Sequence, residues 1–188
     1  MLARFLEQRP NVEVTPEPVR PERILDRIMS GECELGLTAD FAGHAAVDAA
    51  RVEMRTVCIL PPGHLAEDRA EVVPADLRPA RLIQTRIDDP FYADVMAAFE
   101  QCGVKPAGRV ETRQFGTACR LVAEGVGVSI VSQLDAADFA WTGLIARPFF
   151  PRVTHNLDVL RSRLSPSSMI AVEFADLFIS SLESHRAR

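Results

Sequence analysis

The segment from Glu111 to Phe139, ETRQFGTACRLVAEGVGVSIVSQLDAADF, leaves a folding chain few choices. It runs from a helix through a glycine stop into an apolar strand. Thr117 is expected to cap the helix, Leu121 and Val122 to face a core, and Gly125 to end it in the left-handed conformation. Val126 to Val131 is rich in β-branched residues and reads as a short buried strand. Helix and strand signals alternate along the rest of the chain, which predicts an α/β fold with largely parallel sheets.

Leu2, Phe5 and Leu6 make one helical face, stopped at Pro10-Asn11, and Val12 to Val14 reads as a strand. Pro21 suits the first turn of a helix with Ile24, Leu25 and Ile28 on its apolar face and Gly31 as its stop. Strands are expected at Leu35 to Thr38, Ala46 to Val52, Val57 to Leu60 and Arg81 to Gln84. Asp89-Pro90 opens the clearest helix, with Phe91, Val95, Met96 and Phe99 as its buried stripe and Gly103 beyond its end. Leu144 to Ala146 and Leu157 to Leu160 are the last expected strands. A C-terminal helix from about Ser167 to Leu182 is expected to bury Ile170, Phe174, Leu177 and Phe178.

The chain has 188 residues, enough for one large domain or two small ones with a sizeable core. Its net charge of −5, with 26 acidic residues spread along the chain, offers no basic face to a polyphosphate. Cys33, Cys58, Cys102 and Cys119 lie far apart with no C-x-x-C pair. With no signal peptide in view, they read as reduced thiols of a cytoplasmic protein, packed as small hydrophobes. No run of 18 apolar residues is present, so no membrane span is expected.

Chain order suggests two subdomains. The Pro-rich stretch 61–80 and the loop Phe149-Phe150-Pro151-Arg152 read as two crossings, which places one lobe at residues 1–80 plus 152–188 and the other at 81–151. Two α/β lobes joined by two strands resemble the periplasmic-binding-protein architecture, in which a ligand meets the carboxyl ends of strands.

The Glu111 to Phe139 segment resembles the second half of the effector-binding domain of LysR-type transcriptional regulators. Three further segments carry the resemblance: FLEQRPNVEV (Phe5 to Val14), ILDRIMSGECELGLT (Ile24 to Thr38) and LPPGHLA (Leu60 to Ala66). The last is similar to the family's P-x-x-H-P-L-A loop but lacks the proline after His64. Ala75-Asp76-Leu77 is similar to the x-D-L that follows. The resemblance covers almost the whole chain in order and spacing, and it is the ordered set that is specific. Thr-x-Cys-x-Leu-Val and the later Arg147-Pro148-Phe149 are similar to the branch that responds to opines and basic amino acids. The resemblance implies a type 2 periplasmic-binding-protein fold of two Rossmann-like lobes joined by two crossover strands. It implies a small-molecule effector, a carboxylate or an amino-acid-like compound, bound between the lobes. It also implies a homodimer or tetramer, and DNA binding through a winged helix-turn-helix. That module and the family's first strand are expected to be missing, because Met1 falls inside what resembles the first effector-domain helix.

An effector of this kind would meet loops that follow strands and open helices, where free amides favour carboxylates. Thr38 and Asp40 end one strand. Gln84, Thr85, Arg86, Ile87 and Asp88 lie between another strand and the Asp89 helix start. Phe115, Gly116 and Thr117 open the next helix, and by family position the same loops border the cavity. Thr117 reads either as a carboxylate ligand or as a plain helix cap. Asp40 and Asp88 or Asp89 read as partners for an amino group, with Asp89 also read as a cap. Arg86 reads as a carboxylate partner or a solvated charge, and Phe149 as a cavity wall or hinge core.

Catalytic patterns are absent. Gly125-Val126-Gly127 has Ile130 where a dinucleotide fingerprint needs its third glycine, and it follows a helix. His44, His64, His155 and His185 are scattered, so no metal or cofactor is expected and the chain reads as a non-enzyme. Two other classes share the architecture, a transporter's solute-binding protein and a small two-lobed enzyme. The first needs an export signal and the second a cluster of acid, base or nucleophile.

Overall fold

The computed structural model describes residues 1–87 and 89–186. In chain order the elements are α1 (Leu2–Glu7), α2 (Pro21–Ser30), β1 (Gly36–Ala39), β2 (Val47–Leu60), β3 (Arg81–Gln84), α3 (Pro90–Gln101) and β4 (Gly108–Glu111). There follow α4 (Phe115–Ala123), β5 (Val128–Ser132), α5 (Gln133–Asp138), β6 (Ile145–Pro148), β7 (Thr154–Ser162) and α6 (Met169–Leu182). They divide into two compact units, Met1–Glu53 with Asn156–Arg186, and Met54–His155.

In the first unit β1 pairs antiparallel with β7, Gly36 opposite Leu160 and Ala39 opposite Leu157. Helix α2 covers this sheet through Ile28, which is fully buried with Val47 and Leu160 and flanked by Ile24 and Leu25. Pro21 opens α2 and Gly31, at φ 77°, closes it, as the sequence predicts. Phe5 of α1 packs edge to face on Phe174 of α6 at 5.1 Å, with the Arg9 guanidinium over the Phe5 ring and paired with Glu173.

The second unit is a sheet with a helix on each face. β3 runs parallel to β4 and to β5, while the second half of β2 runs antiparallel to β5 and β6. Side chains alternate across the strands. Leu60, Leu82 and Ile130 join Phe91, Val95 and Phe99 of α3 in one core. Ile59, Ile83 and Val131 join Ala118, Cys119 and Val122 of α4 in the other. A strand covered on both faces reads as an unbroken apolar run, which is why Val128–Ser132 is buried at every position.

Several expectations are corrected. The sheets are mixed rather than largely parallel, because β2, β6 and β7 all pair antiparallel. Val12 to Val14 is not a strand: no neighbour pairs with it, Val14 is exposed, and Pro16, Pro18 and Pro21 follow. The two strands expected at 46–52 and 57–60 are one strand, β2. Charged Arg51, Glu53 and Arg55 suggest a break, yet they alternate with buried Val52 and Met54 along a continuous pleat. Strand β4 and helix α5 were not anticipated: β4 has one apolar residue, Val110, and α5 is too short to show a period. In α6 the buried residues are Ala171, Ala175 and Leu182, whereas Leu177 is exposed. Cys58 and Cys119 are buried, but Cys102 is exposed. Burial pushes both buried thiols up, Cys119 to about 12. Residues 61–80 lie inside the second unit. The chain passes between units within the long strands β2 and β7, at 53–54 and 155–156.

Candidate functional site

Because β3 is parallel to both β4 and β5, the carboxyl ends of these three strands reach one edge of the sheet, where α3, α4 and α5 begin. Amide groups at the three helix starts face that edge and attract anions. Two of the starts are closed by their own side chains. Asp89 Oδ1 accepts from the Phe91 amide at 3.0 Å, and Ser132 Oγ accepts from the Asp135 amide at 3.1 Å. Helix α4 is different: Gln114 stands at its cap without a side-chain hydrogen bond, and Thr117 lies in the first turn rather than at the cap. Thr112 Oγ1 instead accepts from the Gln114 amide at 3.3 Å, and the Thr112 amide donates to the Gln84 carbonyl at 2.9 Å.

Gln84 and Thr85, at the end of β3, are each 7% exposed. Neither Gln84 Oε1 nor Thr85 Oγ1 has a hydrogen-bond partner among the described residues. They border a small cavity closed by Phe91, Tyr92 and Val95 of α3 and by Ile130. A buried polar atom left unpaired costs about 1–3 kcal/mol, so two of them side by side mark a place where a polar guest is favoured.

Beside α4 lies an open groove lined by Phe115, Gly116, Thr117, Arg120, Asp135 and Phe139. Phe115 packs edge-on against Phe91 at 5.4 Å and against His155 at 4.9 Å, and Phe91 meets His155 at 5.4 Å. This three-ring cluster links the cavity wall to the groove wall. Asp135 Oδ2 accepts from Ser132 Oγ. Burial pushes the Asp135 carboxyl above the usual range, with Asp138 adding to the shift and the Ser132 hydroxyl and His155 opposing it. Arg120 reaches Glu124 at 3.8 Å and stands over Trp141 at 5.9 Å.

The expected residues separate into groups. Thr85, Phe115, Gly116 and Thr117 lie at the shared strand edge, as described. Arg86 is half-buried, its carbonyl accepting from the Asp89 amide at 3.0 Å, and Asp88 lies outside the described residues. Phe149 is 3% exposed and stacks on Phe99 at 6.1 Å within the core. Thr38 and Asp40 belong to the first unit. Asp40 has φ 47°, and its Oδ1 accepts from Asn156 Nδ2 at 2.7 Å, so this carboxylate is engaged in a turn. The adjoining loop is held by Asp158, 1% exposed, which takes the Phe41 amide at 2.7 Å and the Arg51 guanidinium at 2.9 and 3.0 Å. Gln84 belongs to the strand-to-helix loop that the sequence offers to a ligand. Asp135 and Phe139 have no such signal, since Asp135 falls in a helix too short to show a period.

A family profile described as LysR substrate binding domain matches residues 1–183. The chain belongs to that family. Among curated members, the Escherichia coli (strain K12) transcriptional activator protein LysR is 29% identical over 178 residues, covering 93% of this chain and 57% of that protein. The regulatory protein NocR of Agrobacterium tumefaciens (strain T37) is 28% identical over 184 residues, covering 97% of this chain and 61% of NocR. The chain thus spans about three fifths of the length of these relatives. Among solved structures of the family, the BenM effector binding domain with its effector benzoate superposes with a TM-score of 0.70 at 16% identity, covering 100% of this chain and 87% of that one. LysR-family effector-binding domains have the type 2 periplasmic-binding-protein-like fold, and this chain shares it.

Proposed function

We propose that this effector-binding domain senses a small carboxylate or amino-acid-like compound at the shared carboxyl edge of β3, β4 and β5. The observation that carries the reading is the pair of buried, unpartnered polar atoms, Gln84 Oε1 and Thr85 Oγ1. A carboxylate accepts from the Thr85 hydroxyl and from the open first-turn amides of α4 at Phe115, Gly116 and Thr117. The BenM domain, of the same fold, was solved with its effector benzoate, also a carboxylate. The two units act as the two effector-binding lobes. Binding works by population shift, since a ligand that prefers one arrangement of the protein raises its share. In the full regulator, the reading gives homo-oligomers in the cytoplasm that contact DNA through a domain outside this chain. No helix among the described residues is long and apolar enough to cross a membrane.

A thermal-shift panel of basic amino acids, opines, other amino acids and aliphatic or aromatic carboxylates tests the reading. A ligand at 100 times its Kd stabilises by about 2.7 kcal/mol, a rise of roughly 5–11 °C for a protein of this size. Thr85→Val, which keeps the shape and removes the hydroxyl, should lose most of that rise. A panel with no shift, or a shift unchanged in Thr85→Val, overturns the proposed site.

A further inference from the structure

The groove beside α4 places a carboxylate where sequence reasoning had none. Asp135 sits in the first turn of α5 with one oxygen, Oδ2, taken by the Ser132 hydroxyl. Ser132 is the side chain that bonds this carboxyl among the described residues, and Asp135 lines the groove. The helix does not need this carboxylate, because Ser132 Oγ already holds the Asp135 amide at 3.1 Å. Two phenyl rings, Phe115 and Phe139, form the apolar walls, and a ring face attracts a cation within about 6 Å. Arg120, the basic residue of the groove, is turned toward Glu124 and Trp141. On the α4 side of the same groove stand Gly116 and Thr117, whose amides favour a negative group. The groove is therefore two-signed, with an anion position on α4 and a cation position on α5. Gln84 and Thr85, both more than nine-tenths buried and without a side-chain partner among the described residues, line the neighbouring small cavity at the end of β3, the strand between β4 and β5.

We propose that Asp135 holds the ammonium group of a zwitterionic effector, so that the ligand class is the α-amino acids and their N-alkyl derivatives rather than plain carboxylic acids. The inference rests on the effector site of the preceding section and narrows its ligand. The ammonium donates to Asp135 Oδ1 and lies against the Phe139 ring, while the carboxylate one carbon away faces the start of α4. Burial and the neighbouring Asp138 both disfavour the Asp135 charge in the empty groove, and a cation in contact with it relieves both.

Isothermal titration of the whole chain with ligand pairs that differ only by the α-ammonium tests this. Suitable pairs are L-leucine with 4-methylpentanoate, L-phenylalanine with 3-phenylpropanoate, and L-lysine with 6-aminohexanoate. In the pair that binds, the amino acid is expected to bind about tenfold or more tighter than its partner, and its N-acetyl derivative to lose that advantage. Asp135→Asn keeps an acceptor for Ser132 and should erase the amino acid's advantage over its plain-carboxylate partner. The N-acetyl comparison needs no variant, so it stands even where the substitution disturbs folding. Carboxylates that bind as tightly as the amino acids, or an advantage that survives Asp135→Asn, would overturn the ammonium site alone. Failure of every amino acid and carboxylate to bind would overturn the effector site with it.

Discussion

Burial and Asp138 both disfavour the charged form of Asp135 and push its carboxyl above the usual range. A carboxyl that titrates higher in the folded chain than in the unfolded one weakens folding as pH rises through the carboxylate range. Asp135→Asn removes that loss. The variant should therefore be more stable than the wild type at pH 7, with the gap closing as pH falls toward about 4 and gone below it, where both chains carry a neutral group. Urea melts of the two proteins across pH 3–8 check this, and a variant less stable at pH 7 contradicts it. A residue that costs stability in the empty protein is a candidate for function rather than folding. Asp158 makes the opposite case. It is more deeply buried, but the Arg51 fork and the Phe41 amide satisfy it. Asp40, which the sequence offers to a ligand's amino group, accepts from Asn156 Nδ2. Nothing in the sequence separates these three aspartates; only the partners each meets in the fold do.

At the scale of elements, the segment from α4 through Gly125 to β5 was readable almost residue by residue. Gly125 has φ 77° and carries the left-handed stop that the sequence predicts. The reason for Gly127, two residues on, was not readable, because it lies in a contact distant in sequence. A Cβ there would stand 2.2 Å from the Arg81 carbonyl oxygen, so β5 can approach β3 only where the side chain is missing. Gly127→Ala must push the two strands apart and is expected to destabilise the protein by about 1–3 kcal/mol or more, measured by urea denaturation. Gly125→Ala, strained but unobstructed, should cost less, about 1 kcal/mol. Equal effects would show that the close approach of β5 to β3 contributes nothing. The helix starts divide along the same line. Asp89 and Pro90 announce α3 because the cap is local, whereas the uncapped start of α4 shows only in coordinates. Thr117, the residue the sequence offers as cap, sits two positions inside the helix.

For the whole molecule, alternating helix and strand signals were enough for the α/β class, because each unit's core comes from local apolar periodicity, whereas the family came from the ordered set of motifs that resemble it. Pairing direction and the crossing points were not legible. Both depend on how β2 and β7 run on through charged positions into a second set of neighbours. Charge is a property of the whole chain, and it constrains function without coordinates. Against 26 Asp and Glu the chain has 21 Lys and Arg, for a net charge of −5. Many of these basic groups are already committed to acidic partners: Arg9 to Glu173, Arg27 to Glu17 and Glu32, Arg51 to Asp158, and Arg163 to Asp48. Duplex DNA is held largely by basic groups that displace its counterions, and a surface that is acidic and internally paired has few to offer. The isolated 188-residue chain is therefore expected to leave duplex DNA unshifted in a mobility assay at 50 mM salt, with or without an amino-acid ligand. Retarded DNA with a steep salt dependence would place a DNA-binding surface on the effector domain itself. That surface would have to be built from the cations not committed to a pair, and its position would then decide how an effector could act on the operator.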